Sequence, residues 1–192
     1  ELDLYVVNKA MAFLSENIKK LASEFCLSIN ISGQGFSEPA LLSLMKFYYR
    51  KSPKLLKYLC LEITEQTIVD NVDDTKNSIE AFHAMGIQVA LDDFGTGYSS
   101  LSYIDHFTFN MLKIDRSFIN NLEQGKNNSL ILEAIIKLSK SLRIKTVAEG
   151  VETKEQFQFL KQLGCDKAQG FYMCKPTLEK DFMQLIEENS HY

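Results

Sequence analysis

Ile87-Gln88-Val89-Ala90-Leu91-Asp92-Asp93-Phe94-Gly95-Thr96-Gly97-Tyr98-Ser99-Ser100-Leu101 is the stretch from which the fold can be read. It opens as a short aliphatic run with the character of a buried strand. The run breaks at two adjacent carboxylates and continues into a loop carrying Gly95 and Gly97. Neighbouring strand side chains point to opposite faces, and two anions repel. At a strand's end the pleat loosens, and a pair placed there converges on one centre only around a cation. An ordinary strand end with an Asx turn is the competing reading of the dipeptide alone.

The same grammar recurs on both sides. Strands are expected at 25–31, 58–64, 87–91 running into the Asp pair, 111–115, 144–149 and 167–171. Helical spacing lies between them: over 2–22, with Tyr5, Val6, Ala10, Phe13, Leu14, Ile18 and Leu21; from Ser37 as cap with Pro39 behind it to Tyr49; and over 73–85 up to Gly86. Downstream, Leu130, Ile131, Ala134, Ile135, Leu138 and Leu142 share one side of a long helix, Thr153 and Gln156 form a capping box, and a last helix covers 178–188.

Alternation of this kind gives parallel strands with crossover helices, an α/β fold. An open doubly wound sheet usually announces itself with a glycine-rich first turn, and no such turn is present. Instead, each strand carries a polar residue at or near its end: Asn30, Glu62, Asp92 with Asp93, Lys113, Glu149 and Gln169. A (β/α)8 TIM-like barrel gathers all strand ends at one mouth, which gives that series a purpose. Only about six βα units are visible, so the barrel is incomplete, with the missing strands expected before residue 1. Residues 1–192 read as one partial domain with no internal linker.

Composition narrows the function. At 192 residues and 45% apolar content the chain can bury a core. A net charge of −4 leaves no basic footprint for polymeric nucleic acid. No apolar run approaches the roughly 18 residues of a bilayer span, so no membrane contact is expected from this chain and a cytoplasmic location is, whether free or as the cytosolic part of an anchored protein. Cys26, Cys60, Cys165 and Cys174 have no metal-type spacing and read as reduced thiols, mostly in the core.

Asn30, Glu62, Asp92 and Asp93 are oxygen donors without imidazole or thiolate, a set that selects Mg²⁺ or Mn²⁺ over zinc. Two such cations sharing Asp92 would suit phosphodiester cleavage. Lys113 beside them can stabilise a phosphoryl oxygen or take a proton from water. Glu149 can reach the centre from its strand end, and Glu152 sits in the loop beyond.

The segments Leu27 to Ser32, Leu61 to Glu65, Asp92 to Leu101, Leu112 to Asp115, Ala148 to Thr153 and Gln169 to Phe171 resemble, in order, the successive motifs of the EAL domain family. The resemblance implies a bacterial phosphodiesterase that opens cyclic di-GMP to linear pGpG with Mg²⁺ or Mn²⁺, two ions in the complete domain. It implies Asn30, Glu62, Asp92, Asp93 and Glu149 as metal ligands. It implies Lys113, Glu149, Glu152 and Gln169 as catalytic residues, and Glu65 as the anchor of the loop after Asp93.

The Glu-Ala-Leu signature that names the family is absent, together with the strand that would carry it. The resemblance therefore implies an N-terminally truncated domain with one carboxylate fewer at its first metal site. It also implies a homodimer and an upstream GGDEF or sensory module in the full protein. The alternative is a catalytically weak domain acting as a cyclic di-GMP receptor or regulatory module.

Overall fold

The computed structural model describes residues 1–95, 106–120 and 126–189. Helix α1 (Leu2–Asn17) leads into β1 (Leu27–Asn30), followed by α2 (Gly33–Phe36), α3 (Pro39–Lys51) and α4 (Pro53–Leu56). Then come β2 (Leu59–Thr64), α5 (Glu65–Asp70), α6 (Val72–Ala84), β3 (Gln88–Phe94) and β4 (Met111–Ile114). The chain continues through α7 (Arg116–Asn120), α8 (Lys126–Ser141), β5 (Lys145–Ala148), α9 (Lys154–Leu163), β6 (Lys167–Ala168) and α10 (Glu179–Asn189). All six strands are parallel and lie in chain order, β1 to β6. They form an incomplete TIM-like barrel, with β1 and β6 unpaired to each other among the described residues.

Two apolar clusters follow from strand alternation. Leu59, Leu61 and Ile63 of β2, with Val89 and Leu91 of β3, face outward and join Phe36, Met45, Ile79, Phe82 and Leu132 under the helices. Cys60, Ala90, Met111 and Val147 face inward and form a small separate cluster on the barrel axis. The next inward residue along each of these four strands is Glu62, Asp92, Lys113 and Glu149. The polar layer therefore sits directly above an apolar floor.

Several expected boundaries move, each for a local reason. Glu38, not Ser37, is the N-cap of α3, because Pro39 fixes the first turn. Thr153 and Gln156 do form the capping box of α9, and Gly164 ends that helix in a left-handed conformation. Tyr5 lies exposed, while Val7, Ala10, Met11 and Leu14 carry the buried stripe of α1. In α8, Leu132, Ile135, Ile136 and Ser139 turn inward and Leu130 and Ile131 stay exposed. The wide apolar stripe of that helix allowed either choice. Helices α2, α5 and α7 escape a periodicity reading because none exceeds six residues, less than two turns.

Candidate functional site

Lys113 is the centre of the polar layer. Its Nζ donates to Glu62 Oε2 at 2.5 Å and lies 2.8 Å from Glu149 Oε1 and 3.0 Å from Asp92 Oδ1. Glu62, Asp92 and Lys113 are buried; Glu149 is half-buried. Burial alone would drive an ammonium toward neutrality. Here the hydrogen bonds to Glu149 and Glu62 outweigh it and hold the lysine pKa above its ordinary value. Three carboxylate oxygens around the ammonium favour its charged form. The Glu149 carboxyl is pushed up by burial, and the neighbouring Asp92 and Glu62 add to that while Lys113 opposes it.

Asp92 and Asp93 converge through the backbone, a route not foreseen from strand period alone. Asp93 has a φ of 54°, and the β3–β4 register shifts between Leu91 and Phe94. This single left-handed residue returns the second carboxylate to the face of the first. Donor oxygens of Asp92, Asp93 and Glu149 consequently lie within 4.8 Å of one another. The Asp93 carboxyl is raised by burial and by the charges of Asp92 and Asp115, with Lys113 acting in the opposite sense. Carboxyls crowded into raised pKa values are relieved by added positive charge, and an all-oxygen donor set suits Mg²⁺ or Mn²⁺. The residues fit a divalent cation.

The other expected site residues occupy several positions. Asn30 ends β1 opposite Glu62 in register, exposed at the mouth. Gln169 is exposed and lines, with Ser28, Glu62 and Lys113, a cavity of about 160 Å³ below the mouth. Its place is fixed by Gln169 N donating to Ala148 O at 2.8 Å and by Gly170, where a Cβ would lie 2.2 Å from Val151 O. Glu152 is exposed and is not part of the carboxylate cluster; its backbone N donates to Gln156 Oε1 at 2.8 Å. Glu65 Oε1 accepts from Gly95 N at 2.9 Å, at the start of the Asp-Asp loop. The rest of that loop, 96–105, lies outside the described residues.

Of the cysteines, Cys60 is buried, Cys26 and Cys165 are half-buried and Cys174 is exposed, all of them free thiols. Among the described residues no helix is long and apolar enough to cross a membrane. Sequence reasoning missed Asp115, whose charge bears on Asp93, and Asp3, whose carboxylate meets the turn after Asn30. Asp115 could have been found from its place two residues beyond Lys113. Asp3 carried no signal, since its partner is 29 residues away.

Residues 1–176 match the EAL domain family. The chain is 38% identical over 154 residues to the bifunctional diguanylate cyclase/cyclic di-GMP phosphodiesterase MucR of Pseudomonas aeruginosa, covering 80% of this chain and 22% of that protein. It is 31% identical over 176 residues to the cyclic di-GMP phosphodiesterase NbdA of the same organism, covering 92% and 22%. The chain thus spans about a fifth of the length of these relatives. The structure of the MucR phosphodiesterase in complex with c-di-GMP superimposes with a TM-score of 0.87 at 33% identity, covering 94% of this chain and 73% of that one. The Klebsiella pneumoniae BlrP1 manganese/cy-diGMP complex gives 0.77 at 26% identity, covering 88% and 43%. With a family match over residues 1–176 and a fold that superimposes on those neighbours, the chain belongs to the EAL domain family.

Proposed function

We propose that this domain hydrolyses cyclic di-GMP to linear pGpG, with Mg²⁺ or Mn²⁺ as cofactor, in cytoplasmic second-messenger signalling. The observation that carries the reading is the convergence of Asp92, Asp93 and Glu149 beside the buried Lys113 ammonium. Relatives named as cyclic di-GMP phosphodiesterases and a neighbour holding manganese and cyclic di-GMP support the substrate and the ion.

Asp92, Asp93 and Glu149, with Glu62 and Asn30 beside them, are the residues that would hold the cations. Cations held there would supply Lewis acidity toward the phosphoryl group and would lower the pKa of a water molecule. Lys113 stabilises negative charge developing on the phosphoryl oxygens, and its position orients Glu62, Asp92 and Glu149 at once. Its three carboxylate partners favour the charged form, which suits an electrostatic role, and the proton of the attacking water goes to a carboxylate. Glu149, the least buried of the three carboxylates around Lys113, is the acceptor. Gln169 at the cavity rim orients water, Glu152 acts from the loop beyond Glu149, and Glu65 anchors the Asp-Asp loop. A homodimer and an upstream GGDEF or sensory module complete the proposed assembly.

Incubation with cyclic di-GMP and Mn²⁺, read by chromatography, tests the reaction: linear product supports it, and bound but intact ligand identifies a receptor instead. Lys113→Ala should lower kcat by roughly 10²-fold or more with little change in KM. An unchanged kcat with a raised KM would make Lys113 a binding group.

A further inference from the structure

Asn30 is the most weakly supported member of the proposed metal set, exposed at the end of a four-residue strand. Its direction depends on the turn that follows. Ile31 N donates to Glu62 O at 3.0 Å, which ties the strand exit to β2. Immediately after it, Ser32 is gripped from another element: Ser32 Oγ donates to Asp3 Oδ2 at 2.6 Å and Ser32 N donates to Asp3 Oδ1 at 3.2 Å. Both oxygens of one carboxylate, from the first turn of α1, thus hold one residue of the turn.

The grip is built in depth. Ser32 Oγ also accepts from Gly35 N at 3.0 Å, making it the N-cap of α2. Asp3 occupies the space a side chain would need at position 35, where a Cβ would lie 2.0 Å from Asp3 Oδ2. On the opposite side, a Cβ at Gly33 would come within 3.1 Å of Thr67 Oγ1 on α5. The turn is wedged between α1 and α5. Residues with two backbone rotations each keep a fixed path only when held at successive points, and 31, 32 and 35 are held.

We infer that Asp3 is a positioning residue for the metal site: through Ser32 it fixes the turn after β1 and so the aim of the Asn30 side chain at the mouth. The inference rests on the reading of Asn30 as a ligand. A carboxylate that only fastened α1 to the sheet would affect stability and nothing else. The Asn8–Tyr48 contact provides that comparison, since Tyr48 Oη donates to Asn8 Oδ1 at 2.7 Å and joins α1 to α3 far from the mouth.

Mn²⁺ affinity of the full chain, titrated by electron paramagnetic resonance, separates the possibilities. Asp3→Ala should weaken Mn²⁺ binding about tenfold, the scale of losing a group that orients a ligand. Ser32→Ala should do the same, and the double variant should be no worse than either single one. Asn8→Ala should leave the affinity unchanged. If Asp3→Ala does not fold, Asp3→Leu serves, because it keeps the branched shape and offers Ser32 no acceptor. Asn30→Ala is the arm that tests the site itself. Weakened binding in Asn30→Ala with unchanged binding in the Asp3 variants overturns the positioning role and leaves the site reading intact. Unchanged binding in Asn30→Ala removes Asn30 from the ligand set, and the inference falls with it.

Discussion

Lys113 Nζ and Glu62 Oε2 stand 2.5 Å apart, both side chains nearly sealed from solvent, and two further carboxylates share the same ammonium. One cation thus offsets only part of the negative charge of this layer. Removing it strands Glu62, Asp92 and Glu149 together. Breaking a buried pair from one side costs about 3–5 kcal/mol. Lys113→Met should therefore lower the stability of the chain in chelator by about that amount, measured by urea unfolding. Saturating Mn²⁺ should restore much of it, because charge is replaced by charge. Equal loss with and without Mn²⁺ would show that the lysine acts through packing alone.

The raised pKa values of Lys113 and Glu149 give stability a defined dependence on pH. Lys113 titrates above its ordinary value of 10.5, so its contribution is complete below that pH and is lost as pH climbs beyond it. Glu149 also titrates above its ordinary value of 4.5, but for a carboxyl this means that folding favours the neutral form. Its favourable contribution is complete below pH 4.5 and is lost as pH rises through the folded value. Glu149→Gln, neutral at every pH, should therefore unfold at the same or a higher urea concentration than wild type at pH 7 in chelator, while binding Mn²⁺ more weakly. A clear loss of stability at pH 7 would mean that the Lys113 hydrogen bond, rather than burial, governs Glu149.

Strand order, the inward polar series and the capping box of α9 were legible because each depends on neighbours in sequence. Alternation along a strand determines that Cys60 and Glu62 share a face without reference to any other element. What stayed hidden depends on distant partners. The wide stripe of α8 could not say that Leu132 rather than Ile131 meets the core, since the sheet it packs on decides. The tie from Asp3 to Ser32 and the slip in register at Asp93 have the same character. Local sequence shows which groups are available at the mouth, and tertiary packing decides how they are aimed.

Beneath the outer face of the sheet, Phe82 is fully buried, with Phe36 edge-on at 5.3 Å between ring centroids. Phe36 belongs to the short helix α2, so this contact seats the same turn that Ser32 caps. Phe82→Ala should cost about 3–5 kcal/mol by cavity formation. Phe82→Leu should recover most of that. A loss below 1 kcal/mol for the alanine variant, read in urea, would show that α2 and α6 close over the gap.

Asp93 offers the sharpest separation of backbone from chemistry. Its φ of 54° lies in the left-handed region, which asparagine and aspartate tolerate and β-branched residues resist. Asp93→Asn keeps the shape and the backbone preference but gives up a charged donor. Stability should stay within about 0.5 kcal/mol of wild type, as for a substitution that breaks no packing. Mn²⁺ affinity should fall, because a carboxylate near Asp92 and Glu149 is gone. Asp93→Val should lose the same donor and add about 1–2 kcal/mol of backbone strain. That strain can be relieved only by rotating residue 93 back toward strand geometry, which carries the side chain away from Asp92. The two variants should thus differ in urea midpoint, and both should bind Mn²⁺ more weakly than wild type. If Asp93→Asn binds Mn²⁺ as tightly as wild type, Asp93 is not a ligand, and its unusual backbone serves the loop that begins at Gly95 instead.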